Sequence, residues 1–221
     1  MIWGVLQFPG SCDERDALHA CGLLGAEPKL IWHEDGELGG GVDAVVVPGG
    51  FSYGDYLRAG AIARFSPAME AVAELAAAGR PVLGICNGFQ VLCEAGLLPG
   101  ALLRNEDLRF VHRQVDLIVD GPISPAGPDN SAHRLSIPVK HGEGRYWAPE
   151  ETLDELEANG QVAYRYAPGQ NPNGSVRDIA GVVNEAGNVL GLMPHPEHAV
   201  DPLTGSTDGL EVFRRLERVA A

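Results

Sequence analysis

The chain of 221 residues is 45% hydrophobic, enough for one sizeable core, and it reads more naturally as a single α/β domain over 1–221 than as two small units. With 30 Asp plus Glu against 16 Lys plus Arg, its net charge of −14 argues against nucleic acid or an anionic membrane as partner, because both repel an acidic surface. Cys12, Cys21, Cys86 and Cys93 form no C-x-x-C pair, no apolar run approaches the roughly 18 residues that cross a bilayer, and MIWGVLQFPG lacks the basic start of a signal peptide, so a reduced, cytoplasmic protein is expected.

Ile2 to Phe8 is an apolar run ended by Pro9-Gly10, as a buried strand is. From Asp13 to Leu24 the apolar residues Ala17, Ala20, Cys21 and Leu24 fall at helical spacing, and Gly25 closes the helix. KLIWH and DAVVVPGG are two further short strands. PAMEAVAELAAAGRPVLGIC reads as a proline-started, glycine-ended helix running into a strand, which is the βαβ rhythm of a mostly parallel sheet covered by helices. The second half differs. RFVHRQVDLIVD and RLSIPVK alternate like antiparallel or edge strands, and the proline-rich stretch 121–130 between them reads as a loop. IAGVVNEAGNVLGLMPH is a predicted hairpin turning at Glu185-Ala186-Gly187-Asn188, and a helix from about Asp208 to Val219 follows. No internal repeat, low-complexity tract or charge block interrupts this pattern.

Gly84-Ile85-Cys86-Asn87-Gly88 has the G-x-nucleophile-x-G form, in which small residues permit a sharp strand-to-helix turn. Such a turn exposes the sulfur at a helix N-terminus, where the dipole and free N–H groups favour a thiolate and a neighbouring oxyanion. The same pentapeptide equally suits a small buried cysteine at a tight junction. A nucleophilic cysteine needs a base, and the base needs an orienting group. LMPHPEHAV offers His195 and Glu197, which point the same way if the segment is extended, with Pro194 and Pro196 stiffening it. Ordinary loop polarity is the plainer reading of an isolated H-P-E. A metal held by His195, Glu197 and His198 is a third, but no second ligand cluster is apparent and no metal is expected. In VVVPGGFSYGDYLRAGAIA, Gly49 and Gly50 directly follow a strand, and the N–H groups of Gly50 and Asn87 would together make a two-donor oxyanion hole. Taken alone, Pro48-Gly49-Gly50 is equally a turn.

Taken together, PGGFSYGDYLRAGAIA, GICNGFQVLCEAGLLPG, HGEGRY, QNPNGS and GLMPHPEH resemble the triad-type (class I) glutamine amidotransferases. Within that group they resemble the family of glutaminase subunits of phosphoribosylformylglycinamidine synthase, from de novo purine synthesis. The elbow and the H-P-E segment are common to the wider group, whereas PGGFSYGDYLR and HGEGR point to the narrower family; the resemblance covers nearly the whole chain. It implies a doubly wound, flavodoxin-like, mostly parallel sheet with helices on both faces. It also implies Cys86 as nucleophile, His195 as general acid/base and Glu197 as its orienting carboxylate. Gly49, Gly50, Asn87 and Gly88 would surround the oxyanion, and Gln90 would help hold the substrate near the sulfur. His141 and Gly142 are implied to lie in a loop near the substrate or a partner.

The substrate implied is L-glutamine, hydrolysed through a γ-glutamyl thioester. The chain has no G-x-x-x-x-G-K-[ST] loop, so it is expected to bind no cofactor of its own. ATP and magnesium would serve a separate large synthetase subunit, which converts formylglycinamide ribonucleotide to the amidine, and a small bridging subunit would complete the complex. Three rival readings are a class I amidotransferase feeding another acceptor, a related cysteine hydrolase, and a non-catalytic binding or regulatory subunit of the same fold.

Overall fold

The computed structural model describes residues 1–120 and 134–219; the predicted proline-rich loop over 121–130 lies outside them. The first half alternates strand and helix except between β2 and β3, which no helix separates: β1 (Ile2–Gln7), α1 (Glu14–Leu23), β2 (Glu27–Trp32), β3 (Ala44–Val47), α2 (Pro67–Ala77), β4 (Val82–Ile85) and α3 (Asn87–Glu94). Then come β5 (Ala101–Leu103), β6 (Val111–Val119), β7 (Arg134–His141), β8 (Arg145–Trp147), α4 (Glu150–Ala158), β9 (Val162–Tyr166), β10 (Ile179–Val183), β11 (Val189–Leu192) and α5 (Gly209–Val219). No helix among the described residues is long and apolar enough to cross a membrane.

Nine of the described strands form one sheet in the order β2-β1-β3-β4-β11-β10-β9-β6-β7. The first five pair in parallel, which is the 2-1-3-4-5 order of a flavodoxin-like sheet. Every pairing beyond β11 is antiparallel, so β9 and β7 regain the direction of β1 while β10 and β6 oppose it; the sheet is mostly parallel in direction. β3, β4, β10 and β11 are buried at every position, as strands covered on both faces are. The step from β1 to β2 runs one way across the sheet and the step from β3 to β4 the other. Right-handed crossovers therefore put α1 and α2 on opposite faces.

β7 alternates buried and partly exposed positions and forms one edge of the sheet, as its sequence alternation predicts. Pro138 is tolerated there because an edge strand has an outer side with no ladder bond to lose. At the hairpin between β10 and β11, the buried Asn188 donates through Nδ2 to the carbonyls of Ala76 and Arg80, both at 2.8 Å, which fastens the turn to the end of α2. The sequence reading assigns no element between Arg145 and Gln170, where the structure has β8, α4 and β9. α4 buries only Leu153 and Leu156, a stripe too narrow to stand out as a helical period.

The carboxyl ends of β1, β3, β4 and β11 meet along one side, and the strand order reverses between β1 and β3. That crevice is where an open α/β sheet binds ligands.

Candidate active site

Cys86 follows β4 and caps α3 with φ 50° and ψ −103°, a positive-φ conformation that costs a non-glycine residue about 1–3 kcal/mol. Its N–H donates to the Leu192 carbonyl at 2.8 Å, so the strained turn is tied to β11. The flanking glycines are set by packing. A side chain at Gly88 would collide with the Val47 carbonyl, and one at Gly84 would come within 2.5 Å of Leu92 Cδ1 and 2.8 Å of the Gly88 carbonyl. Without side chains there, α3 can lie down on β3 and β4 and hold the sulfur at the end of the sheet. Asn87, in the first turn of α3, accepts from the Ser52 N–H at 3.0 Å and donates through Nδ2 to Gln90 Oε1 at 2.9 Å. Gln90 donates in turn to the Glu143 carbonyl. Both ends of its amide are engaged by the protein, and it forms the wall between the elbow and the HGEGR segment.

His195 follows β11, and its N–H donates to the Pro138 carbonyl of β7 at 2.8 Å. Pro196–His198 make a single 3₁₀ turn, where the sequence reading has an extended segment. That turn folds Glu197 back so that Oε1 accepts from His195 Nδ1 at 2.6 Å. The bond fixes the proton on Nδ1 and leaves Nε2 for the sulfur side. Both residues are buried, and Nε2 has no hydrogen-bond partner within normal limits among the described residues. Burial disfavours a charged ring, but the Glu197 carboxylate and the nearby Cys86 sulfur outweigh it and lift His195 up to about 10.

Behind this pair stands a residue that the sequence reading misses. Asp13, at the start of α1, is buried; its Oδ1 accepts from Lys140 Nζ at 2.5 Å and from His198 Nε2 at 3.2 Å, and its Oδ2 lies 3.6 Å from His195 Nδ1. Burial opposes its charge, yet His198, His195 and Lys140 together hold the carboxyl well below the ordinary carboxylate range. Gly49 makes room for this arrangement, since a side chain there would strike the Asp13 carboxylate and come 2.8 Å from His195 Cε1. Asp13, His195, Glu197 and His198 offer ligand atoms all within 4.8 Å of one another, so the fourth ligand absent from the metal reading of the sequence does exist. These donors are engaged with each other and with the Lys140 ammonium, which makes the group a balanced charge network.

The cleft in front of the network, of about 240 Å³, is lined by Cys86, His195, Gly50, Gln90, Lys140 and Asp55 among others. Gly50 takes φ 146°, and a side chain there would meet the Cys12 nitrogen and the Gly10 carbonyl at 2.7 Å each. His141 and Gly142 also line the cleft. The His141 ring is bound on both sides, Nδ1 to Asn105 Oδ1 at 3.0 Å and Nε2 to Asn173 Nδ2 at 3.4 Å. Burial and the charge of His195 hold it down at about 4, so it is neutral. Asn173 and Ser175 of QNPNGS also donate to the Gly144 carbonyl at 2.8 and 3.4 Å. Two of the sequence stretches that stood apart from the triad thus buttress one wall of the cleft.

Residues 3–211 match the family described as CobB/CobQ-like glutamine amidotransferase domain. The chain is 60% identical over 220 residues to the phosphoribosylformylglycinamidine synthase subunit PurQ of Streptomyces avermitilis, covering 95% of this chain and 94% of that one. It is 54% identical over 224 residues to the protein of the same name from Nostoc sp., covering 100% and 99%. Among solved structures, PurLQS from Thermotoga maritima aligns with a TM-score of 0.87 at 41% identity over 100% of this chain and 99% of that chain. A glutamine amidotransferase from Thermotoga maritima, at 16% identity and a TM-score of 0.60 over 100% and 98%, shares the fold.

Proposed function

The chain belongs to the CobB/CobQ-like glutamine amidotransferase family, and from that premise we propose that it is a PurQ-type glutaminase subunit of phosphoribosylformylglycinamidine synthase. It hydrolyses glutamine and hands the ammonia to a separate synthetase subunit, which forms formylglycinamidine ribonucleotide, and it assembles with that subunit and a small bridging one as PurLQS does. ATP and magnesium belong to the synthetase subunit, and the assembly works in the cytoplasm. One observation carries the reading at atomic level: a buried His195–Glu197 pair faces Cys86 at a strained elbow on the ligand-binding side of the sheet.

With the proton already held on His195 by Glu197, Cys86 Sγ attacks the amide carbon of glutamine, and the C=O π pair moves onto oxygen. The N–H groups of Gly50 and Asn87 would receive that oxyanion. The tetrahedral carbon then expels nitrogen, which takes the proton from His195 Nε2 and leaves as ammonia, giving a γ-glutamyl thioester. Water, deprotonated by the same nitrogen, attacks the thioester; the C–S bond breaks, His195 keeps the proton beside the released sulfur and glutamate departs. Glu197 stabilises the imidazolium in both halves. The free chain is expected to turn over slowly until assembly completes the site, because an uncoupled glutaminase wastes glutamine. Rapid hydrolysis by the isolated chain would contradict that point.

The test is covalent labelling with 6-diazo-5-oxonorleucine, a glutamine analogue that alkylates the attacking group. A single adduct on Cys86, suppressed by glutamine and absent from Cys86→Ser, is expected. An adduct on the exposed Cys12 instead, or labelling that glutamine does not suppress, overturns the assignment of the nucleophile.

A further inference from the structure

Three carboxylates line the cleft, and two of them have cations beside them. Asp13 carries Lys140 and His198. Glu143 has the Arg104 guanidinium at 3.4 Å. Asp55 has no cation within ion-pair distance among the described residues; its side chain accepts a long hydrogen bond, from Asn87 Nδ2 to Oδ1 at 3.4 Å. Burial, and then repulsion from Glu143, push its carboxyl up to about 6. A half-buried carboxylate facing a second one is unfavourable unless a positive group completes it. The chain nevertheless keeps Asp55 there, in a stretch where Tyr53, Asp55 and Leu57 all take positive φ (53°, 53° and 73°).

The place of this unmatched charge is informative. Cys86 and Asp55 line the same cleft, and Asn87, next to the nucleophile in sequence, touches Asp55 through its side chain, so a ligand whose amide sits at Cys86 and whose chain extends along the cleft brings its far end toward Asp55. Glutamine carries its ammonium group at that far end.

We propose that Asp55 receives the α-ammonium group of glutamine and so selects glutamine over carboxamides that lack it. This rests on the reading of the chain as a glutaminase. Asp55→Asn keeps the size of the side chain and removes its charge, and the residue lies on a partly exposed loop away from the core. In the complex assembled with the synthetase and bridging subunits, glutamate release by native and D55N chains gives KM and kcat for glutamine. Glutaramate, which is glutamine with hydrogen in place of the amino group, gives an inhibition constant against each.

Loss of the charge pair should raise KM for glutamine about ten- to hundredfold with kcat nearly unchanged, while the glutaramate constant stays the same in both. An unchanged KM for glutamine, or an equal weakening of glutamine and glutaramate, overturns the inference. Glutamate release that depends on Cys86 but ignores Asp55 removes this inference alone; no glutamate release from the native complex removes the glutaminase reading and this inference with it.

Discussion

Replacing Glu197 by glutamine removes one charge from the buried pair and leaves the shape almost unchanged. An acceptor can remain 2.6 Å from His195 Nδ1, but the charge that helps lift the ring from 6.5 to about 10 is gone. At about 1.4 kcal/mol for each tenfold in proton affinity, that lift corresponds to roughly 5 kcal/mol, reached against the burial of the ring. Glu197 is the largest favourable contributor, with Cys86 after it, and removing one partner of a buried ion pair costs about 3–5 kcal/mol. The imidazolium formed when Cys86 loses its proton is less stable by that amount, and glutamine turnover should fall by about 10² to 10³. Folding carries a second signature. A histidine whose folded value is raised stabilises the native state fully below its unfolded value of 6.5, and that contribution is lost as the pH rises through about 10. The stability gap between native and Glu197→Gln is therefore widest near the acidic end and narrows through the alkaline range. Initial rates of glutamate release in the assembled complex, with urea unfolding on both sides of that window, measure the two effects. Turnover within about threefold of native, or a gap that widens with pH, refutes the reasoning.

Three further substitutions test the framework around the pair. Gly88→Ala puts a methyl group against the Val47 carbonyl and pries α3 from β3; stability should drop by about 1–3 kcal/mol in chemical denaturation, with a larger relative loss of turnover. Asp13→Asn leaves Lys140 and His198 facing a neutral amide, and unfolding at neutral pH should show a loss of about 1–3 kcal/mol. Because the Asp13 carboxyl is held below its ordinary value of 3.8, its contribution is present above that value and lost on acidification, so the native and variant denaturation curves should converge as the pH falls below 3.8. Cys86→Gly should be more stable than Cys86→Ala by about 1 kcal/mol, since glycine alone is at ease at φ 50° and ψ −103°; equal melting temperatures would remove the strain argument.

The parallel half of the fold was legible because β1, β3 and β4 are continuous apolar runs, the first two closed by Pro9-Gly10 and Gly49-Gly50, and its helices begin and end on the residues that permit it. The antiparallel half was legible where alternation is clean, in β6 and β7, and at the β10–β11 hairpin, where Glu185-Ala186-Gly187-Asn188 interrupts two apolar runs. β9 is buried at four of its five positions and shows no period of two, so VAYRY gave no pairing signal. At the site, Cys86, His195 and Glu197 stand in compact local motifs. Asp13 does not: CDERD reads as an ordinary helix start, and its ties to Lys140 and His198 span 127 and 185 residues. Lys140 sits in an alternating strand, where a lysine reads as a solvated face. A faint signal existed in Gly49, whose missing side chain leaves space for the Asp13 carboxylate and the His195 ring, but a glycine does not say what fills that space.

The most direct measurement is glutamine-dependent formation of formylglycinamidine ribonucleotide by an ammonia-competent synthetase subunit with its bridging subunit, with this chain added as native protein or as Cys86→Ala. Glutamine should support the reaction with the native chain, and the alanine form should leave only the ammonia-dependent rate. Glutamine hydrolysis without amidine formation would contradict the assignment of the acceptor, and an alanine variant that still uses glutamine would contradict the chemistry assigned to Cys86.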